Sequence, residues 1–180
     1  MVEEKLEDIL KDKVDKKIFL IHPCCSNMNR LWDSEKFADV AEWLVNKYNC
    51  YLFFTGLKQE KYIIYDILRY MKERKNVFDV SGLFDFYEFV ALIKRADLLV
   101  AIDTSAVHIA SATKTNTVAI YGPTHNIVWA PYNKENQVLV YTELTCYPCE
   151  EKFSPTVCKD LTCLRSISAQ RVKDAIETLF

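Results

Sequence analysis

One short segment combines a carboxylate, two hydroxyls and an imidazole where a buried strand is predicted to become a helix. It reads Asp103-Thr104-Ser105-Ala106-Val107-His108 and follows the unbroken apolar run 98–102. Free amide N–H groups at a helix start, with the helix dipole behind them, favour an anion such as a diphosphate. The Thr104 and Ser105 hydroxyls could add donors, whereas Asp103 would repel a phosphate and is better suited to accept hydrogen bonds from sugar hydroxyls. The alternative is that Asp103 or Thr104 only caps the helix.

Three more side chains have types that suit a phosphate or sugar ligand. His108 lies one helical turn after Ser105 and faces the same way, although a buried, hydrogen-bonded histidine is the alternative. Arg30 could neutralise phosphate charge, or could be an ordinary exposed arginine. Glu60 could accept a bidentate hydrogen bond from ribose hydroxyls, or could be a carboxylate favoured by the dipole at a helix start.

Apolar runs of strand length alternate along the chain with longer stretches of helical periodicity. This alternation predicts an α/β fold, a Rossmann-like doubly wound sheet that is mostly parallel and has helices on both faces. Strands are predicted at 18–21, 51–54, 77–80, 98–102, 117–121 and, at an edge, 138–141. Helices are predicted at 34–48, 60–72, 85–95 with Asp85 as cap, 105–113 and 168–180. Ligands of such sheets bind beyond the carboxyl ends of the strands, where Arg30, Glu60 and Asp103 lie.

The first residues are rich in Glu, Lys and Asp, with Leu6, Ile9 and Leu10 at helical spacing. This pattern predicts an amphipathic helix at 1–16, outside the core of a domain formed by 17–180. A signal peptide would need an apolar middle, and no apolar run approaches the roughly 20 residues of a membrane span. We therefore expect a cytoplasmic protein without a membrane span; a protein working at the inner face of a membrane would have the same pattern.

Composition excludes several classes of function. Lysine and arginine number 23 and aspartate and glutamate 25, so the net charge of −2 offers no electrostatic case for nucleic-acid binding. Only three glycines occur, whereas the dinucleotide fingerprint and the Walker phosphate loop each need several. An oxidoreductase on this sheet is therefore disfavoured, and we expect no cofactor.

The seven cysteines include a cluster near the carboxyl terminus, in a stretch from 146 to 163 that we predict to be an irregular loop. An odd number without a signal peptide argues against a secreted disulfide scaffold. Four thiolates could bind a structural zinc, but zinc ribbons normally have two tight CxxC pairs and only one is present. Free thiols or a pair of disulfides are the alternatives. The four are Cys146, Cys149, Cys158 and Cys163.

Taken in order, these segments resemble the carboxyl-terminal domain of glycosyltransferase family 9, the ADP-heptose:lipopolysaccharide heptosyltransferases. Residues 21–23, 29–32 and 35–37 are similar to the family's HPG, K-x-W and E-x-F elements. Thr55-Gly56 with Glu60 follows. Residues 96–97 and 103–110 resemble the family's AD and D-S/T-G-x-x-H-L-A pattern, and 118–124 its V-A-L-F/Y-G-P-T. The likeness covers nearly everything from residue 17 onward.

The resemblance implies one half of a GT-B enzyme, in which two Rossmann-like domains enclose the active cleft. By analogy, Ser26 and Arg30 hold the diphosphate of a nucleotide-diphosphate sugar, Glu60 contacts the ribose, and 103–105 with His108 line the phosphate and donor-sugar region. The implied reaction is inverting, metal-free transfer of a glycosyl group, such as a heptosyl group, to a lipopolysaccharide, another glycan or a lipid-linked acceptor. Helix N-termini and Arg30 would stabilise the leaving nucleotide diphosphate.

The sequence departs from the family at three positions and in its extent. Cys24 and Ser105 stand where the family usually has glycine, and each added side chain narrows the approach of backbone to phosphate. Arg30 replaces the usual lysine, which keeps the charge but changes its geometry. The family's amino-terminal acceptor domain, which supplies the general base, has no counterpart here. We therefore expect a donor-binding domain that needs a separate acceptor-domain half; the alternative is a non-catalytic nucleotide-sugar-binding or regulatory module.

Overall fold

A computed structural model describes residues 2–10, 16–147, 149, 158 and 160–180 of the chain. Within these residues, six strands form one sheet in the order β3-β2-β1-β4-β5-β6. The strands are β1 Ile18–His22, β2 Tyr51–Phe54, β3 Val77–Asp79, β4 Leu98–Ile102, β5 Thr117–Ile120 and β6 Gln137–Val140. The helices are α1 Val2–Leu10, α2 Ser34–Tyr48, α3 Lys61–Tyr70, α4 Phe86–Arg95, α5 Ser105–Thr113, α6 Thr162–Arg165 and α7 Ala169–Glu177. Short 3-10 turns cover Met28–Arg30 and Lys58–Glu60.

Every neighbouring pair of strands in the sheet is parallel, which confirms the predicted Rossmann-like doubly wound α/β fold. The strand order reverses between β1 and β4, which pair with Ile21 opposite Val100 and His22 opposite Ala101. In such sheets a crevice opens where the order reverses, outside the carboxyl ends of the two strands. The fold therefore places the ends of β1 and β4 side by side.

Helices cover both faces of the sheet because successive strand residues point to opposite sides. Phe19 and Ile21 belong to the core beneath α2, α3 and α7, whereas Ile18 and Leu20 belong to the core beneath α1, α4 and α5. Both cores are built from aliphatic and aromatic side chains that are almost wholly buried. Their burial holds the strand ends in fixed register.

Local signals set the ends of several helices as the sequence predicts. The Asp85 carboxylate caps α4 by accepting a hydrogen bond from the Glu88 amide, and the Asp85 amide donates to the Glu88 carboxylate, both at 2.9 Å. The helix α2 has the predicted bounds and ends at Asn49, whose left-handed backbone (φ 47°) stops the helix. The cap of α4 also fixes one wall of the site described below.

The amino-terminal helix is part of the core, so the expectation that it lies outside is wrong. Val2 and Leu6 are buried in the cluster that includes Leu92 and Ile93 of α4. Lys5 donates to the carbonyl of Leu83 at 2.9 Å. The helix spans Val2–Leu10, and residues 11–15 of the predicted 1–16 segment lie outside the described residues. The helix packs against this core through one apolar stripe.

The carboxyl-terminal cysteine stretch is not wholly irregular, contrary to the prediction. Cys163 lies in the short helix α6 and is buried with its neighbour Leu164. Residues 148, 150–157 and 159 of this stretch lie outside the described residues. Among the helices that the structure describes, none combines the length and the apolar character needed to cross a bilayer.

Candidate functional site

A cleft of about 470 Å³ opens at the carboxyl edge of the sheet, where β1 and β4 meet. Its walls are the segments that follow β1, β2, β3 and β4. A cleft of this size suits a small organic ligand, for which pockets of about 300–1,000 Å³ are usual. Six of the seven residues predicted from the sequence line it: Ser26, Arg30, Glu60, Asp103, Thr104 and Ser105.

Arg30 and Asp103 bring opposite charges together inside the cleft, although 72 residues separate them in the chain. Arg30 Nη1 lies 3.6 Å from Asp103 Oδ2, and the side chains are 32% and 6% exposed. Arg30 Nε and Asp103 Oδ2 are buried and make no hydrogen bond with the described residues. Arg30 is thus not an ordinary surface arginine. Buried polar atoms normally have partners, so these two are suited to a polar ligand in the cleft.

The start of α5 forms the second polar wall. Thr104 occupies the N-cap position, but its side chain makes no capping hydrogen bond, and its hydroxyl oxygen is buried without a partner among the described residues. Ser105 is exposed at the first position of the helix. Because the Thr104 hydroxyl is not used as a cap, it is available to a ligand beside the positive end of the helix dipole.

Glu60 is the last residue of a short helical turn and lies at the wall of the cleft. Its Oε2 accepts a hydrogen bond from the Leu57 amide at 2.7 Å, which stabilises the 3-10 turn Lys58–Glu60. The same side chain lines the cleft. The turn therefore holds the carboxylate in one position at the cleft wall.

His22, at the last position of β1, also lines the cleft and was not among the predicted site residues. Its Nδ1 lies 2.9 Å from Thr55 Oγ1, and its ring packs on Phe89 with centroids 5.4 Å apart. Burial lowers the pKa of His22 to about 4, so the ring is neutral at pH 7. The sequence signal that could have found it is its place directly at a strand's carboxyl end.

An apolar wall completes the cleft, and sequence reasoning missed it. Phe84, Phe86 and Phe89 come from the loop and helix after β3, and Leu57 follows β2. Phe86 is 65% exposed and Leu57 is 56% exposed. Aromatic residues in a helical pattern usually indicate core, so nothing in their spacing marks these four as cleft residues.

His108 is the predicted residue that the structure does not place in the cleft. It is exposed on α5 and lies outside the cleft lining, so it is not the buried, hydrogen-bonded histidine of the alternative. Ile109, four residues after Ser105, lines the cleft instead. On a helix both i+3 and i+4 lie near i, and here the helix is turned so that i+4 faces the cleft.

Cys24, Cys25, Cys50, Cys146, Cys158 and Cys163 are present as free thiols. Cys146 and Cys158 are exposed and Cys163 is buried, and in the part of the chain that the structure describes no group of His, Cys, Asp or Glu side chains is arranged to hold a metal ion. Beside the cleft, burial raises the pKa of the Cys24 and Cys25 thiols, which disfavours the reactive thiolate. Both cysteines line the cleft, with Cys24 buried and Cys25 partly buried.

Comparison with known proteins identifies the family. The sequence profile of glycosyltransferase family 9 (heptosyltransferase) matches residues 2–159. Lipooligosaccharide heptosyltransferase 2 of Campylobacter jejuni serotype O:6 is 29% identical over 97% of this chain, which covers 55% of that protein. Lipopolysaccharide heptosyltransferase 3 of Escherichia coli K12 is 27% identical over 64% of this chain and 33% of its own length.

Solved structures share the fold at lower identity. The chain superposes on E. coli ADP-heptose lps heptosyltransferase II with a TM-score of 0.79 and 16% identity, over 99% of this chain and 50% of that one. A family 9 glycosyl transferase from Veillonella parvula DSM 2008 gives a TM-score of 0.80 and 18% identity, over 98% and 49%. The chain thus has the fold of one half of a GT-B enzyme and spans about half the length of these proteins. On the extent of the profile match, the chain belongs to glycosyltransferase family 9.

Proposed function

We propose that this chain is the donor-binding half of a glycosyltransferase that takes a nucleotide-diphosphate sugar resembling ADP-heptose. The observation that carries the proposal is the Arg30–Asp103 ion pair in a cleft where the strand order reverses, because Arg30 Nε and Asp103 Oδ2 are buried and make no hydrogen bond among the described residues. A cation and a carboxylate side by side suit a ligand that has both phosphates and hydroxyls. The acceptor is a lipopolysaccharide or another glycan.

Each wall of the cleft suits one part of such a donor. Ser26, Arg30 and the amino end of α5 would bind the diphosphate, because they offer a hydroxyl, a guanidinium and a helix dipole. Asp103 would accept hydrogen bonds from the donor sugar, and Glu60 from the ribose. The aromatic wall of Phe84, Phe86 and Phe89 offers apolar surface to the base.

In the transfer step, the acceptor oxygen attacks the anomeric carbon and the nucleotide diphosphate leaves with inversion. Negative charge then grows on the leaving diphosphate, where Arg30 and the start of α5 stabilise it without a metal. The general base that removes the acceptor proton would come from a separate acceptor-domain half. The chain covers about half the length of these relatives, which supports the proposed division between two halves.

Exposed apolar side chains support a partner half at this edge of the sheet. Met28 follows β1, Leu57 follows β2, and Tyr87 follows β3, and all three are more than half exposed. After β5 come Ile127 and Trp129, 76% and 50% exposed. Large exposed apolar surface of this kind often marks a protein–protein contact.

Calorimetric titration with ADP and with UDP tests the donor site. E. coli heptosyltransferase WaaC, 15% identical to this chain, has been solved with ADP, so ADP is the first ligand to test. We expect ADP to bind, Arg30→Ala to weaken binding at least tenfold, and Arg69→Ala to leave it unchanged, because Arg69 is exposed on α3. Binding of neither nucleotide would overturn the proposal.

A transfer assay tests the need for a second half. ADP-heptose and a lipopolysaccharide core acceptor are supplied with and without the amino-terminal half of the C. jejuni relative. We expect transfer only with that half present, and we expect Asp103→Ala to abolish it while the thermal unfolding curve remains cooperative. If nucleotide binds but the added half restores no transfer, the chain is a non-catalytic nucleotide-sugar-binding module.

A further inference from the structure

We propose that His22 is a donor-recognition residue, a neutral imidazole whose Nε2 accepts a hydrogen bond from a hydroxyl or amino group of the ligand in the cleft. The proposal rests on the proposed nucleotide-sugar site and names one more side chain that hydrogen-bonds the ligand. Its basis is the contact of His22 with Thr55 and its position at the carboxyl end of β1.

Thr55 determines which ring nitrogen carries the proton. The Thr55 hydroxyl has a single hydrogen, which it donates to the Ile21 carbonyl at 3.4 Å. Its Oγ1 lies 2.9 Å from His22 Nδ1, and we assign it as the acceptor of the Nδ1–H because its own hydrogen is directed at Ile21. In a neutral imidazole one nitrogen is a donor and the other an acceptor, so Nε2 has the free lone pair.

The surroundings leave Nε2 to the cleft. Thr55 is buried and occupies the Nδ1 side, and the Phe89 ring lies against His22 at 5.4 Å. Among the described residues no hydrogen bond to Nε2 is formed, while His22 itself lines the cleft. An acceptor in this position is satisfied by a donor group on the ligand.

The charge state of the His22 imidazole determines which part of the ligand it can hydrogen-bond. Burial keeps the imidazole neutral at pH 7, since it lowers the pKa of His22 to about 4. An ionised diphosphate offers oxygen acceptors and no donor, so it makes no hydrogen bond to a bare Nε2. The partner is therefore a sugar or ribose hydroxyl, or an amino group of the base, and His22 differs in role from Arg30.

Nitrogen-15 NMR tests the tautomer before any ligand is added. The chain has three histidines, so long-range ¹H–¹⁵N spectra are simple, and the spectrum of His22→Gln assigns the His22 signals by their loss. We expect the Nδ1–H tautomer at pH 7 in the wild type and in Thr55→Ser. Thr55→Val removes the acceptor and should shift the ring towards the Nε2–H form. An Nε2–H tautomer in the wild type would overturn the proposal.

Titration with ADP and with ADP-glucose tests recognition. His22→Phe keeps a ring against Phe89 but has no acceptor, and we expect about five- to tenfold weaker binding of at least one of the two ligands. His22→Gln restores an acceptor near the Nε2 position and should bind within about threefold of the wild type. Loss with both ligands places the contact on the nucleoside, and loss with ADP-glucose alone places it on the sugar.

The outcomes separate the two proposals. If the wild type binds the ligands and His22→Phe binds each of them as tightly as the wild type does, the His22 proposal fails and the donor site stands. If the wild type binds neither ADP, UDP nor ADP-glucose, the donor site fails and the His22 proposal fails with it. If His22→Phe does not fold, Thr55→Val is the deciding variant, because it keeps His22 and should turn its Nε2 into a donor. Ligand affinity of Thr55→Val equal to that of the wild type would then contradict the proposal.

Discussion

At the scale of single residues, Cys24 and Gly56 restrict one another at the base of the cleft. A Cβ added at Gly56 would lie 2.8 Å from Cys24 Sγ, closer than real contacts allow. Cys24 stands where the family usually has glycine, so its thiol fills space that a neighbouring residue must leave open. The small residue at 56 is therefore matched to the cysteine at 24.

This match predicts a compensating pair of substitutions. Gly56→Ala should lower the free energy of unfolding by about 1–3 kcal/mol, the usual cost of overpacking. Cys24→Gly with Gly56→Ala should recover most of that loss, because the alanine methyl then has room. Urea denaturation of the two variants and of Cys24→Gly alone measures the coupling. Additive effects in the double variant would show that the thiol is not what the methyl meets.

His22 also predicts how stability depends on pH. Its pKa falls from 6.5 to about 4 on burial, so the unfolded chain takes up the proton more readily than the folded one. Stability due to this group is complete above pH 6.5 and is lost as the pH falls towards 4, by up to about 3 kcal/mol. Urea titrations at pH 7.5 and 5.0 should show a smaller loss in His22→Gln than in the wild type; an equal loss would assign the effect to other groups.

At the scale of elements, α1 connects the amino terminus to the wall of the cleft. Lys5 donates to the Leu83 carbonyl and pairs with Glu88, and its ammonium lies 5.5 Å from the centre of the Phe84 ring. Glu88 belongs to the capping box at the start of α4, next to Asp85 in the cleft lining. The helix therefore supports the segment that carries the apolar wall.

Burial of α1 gives a direct test of its place in the core. Leu6 is 3% exposed, so Leu6→Ala should lower the free energy of unfolding by about 2 kcal/mol or more. Asp8→Ala, on the exposed side of the same helix, is the matched control and should change stability by less than about 0.5 kcal/mol. Equal unfolding midpoints for the two variants would mean that α1 does not pack as described.

At the scale of the whole molecule, binding at the cleft couples to the stability of the entire sheet. The site takes residues from segments after four strands, so it exists only when these strands are in register. A ligand that binds the folded chain alone stabilises it by mass action. Ligand-induced stabilisation therefore reports on the site without any need for the acceptor half.

Thermal unfolding with ADP measures this coupling. ADP at 100 times its Kd should add about 2.7 kcal/mol to the free energy of unfolding. For a chain of this size that corresponds to a rise in Tm of about 5 °C or more. Arg30→Ala, with at least tenfold weaker binding, should lose about half of the rise or more at the same ADP concentration, and Arg69→Ala should keep it. An identical rise in Arg30→Ala would place the nucleotide elsewhere on the molecule.

The sequence by itself determined the features that depend on neighbours along the chain. The alternation of apolar runs predicted the parallel sheet, and most strand and helix bounds agree within one or two residues because periodicity and caps such as Asp85 act locally. The position of polar residues just after strands also identified six residues of the cleft lining. The family resemblance, which the profile match confirms, was readable for the same reason.

Only the tertiary structure decided which side chains meet. The rotation of α5 about its axis puts Ile109 in the cleft and His108 outside it, and packing on the sheet sets that rotation. The Arg30–Asp103 pair and the His22–Thr55 hydrogen bond join residues that are far apart in the chain. Phe86 and Phe89 line a cleft although their pattern is that of core residues, and Leu6 is buried although its helix is highly charged. Each of these depends on long-range packing, which local spacing does not encode.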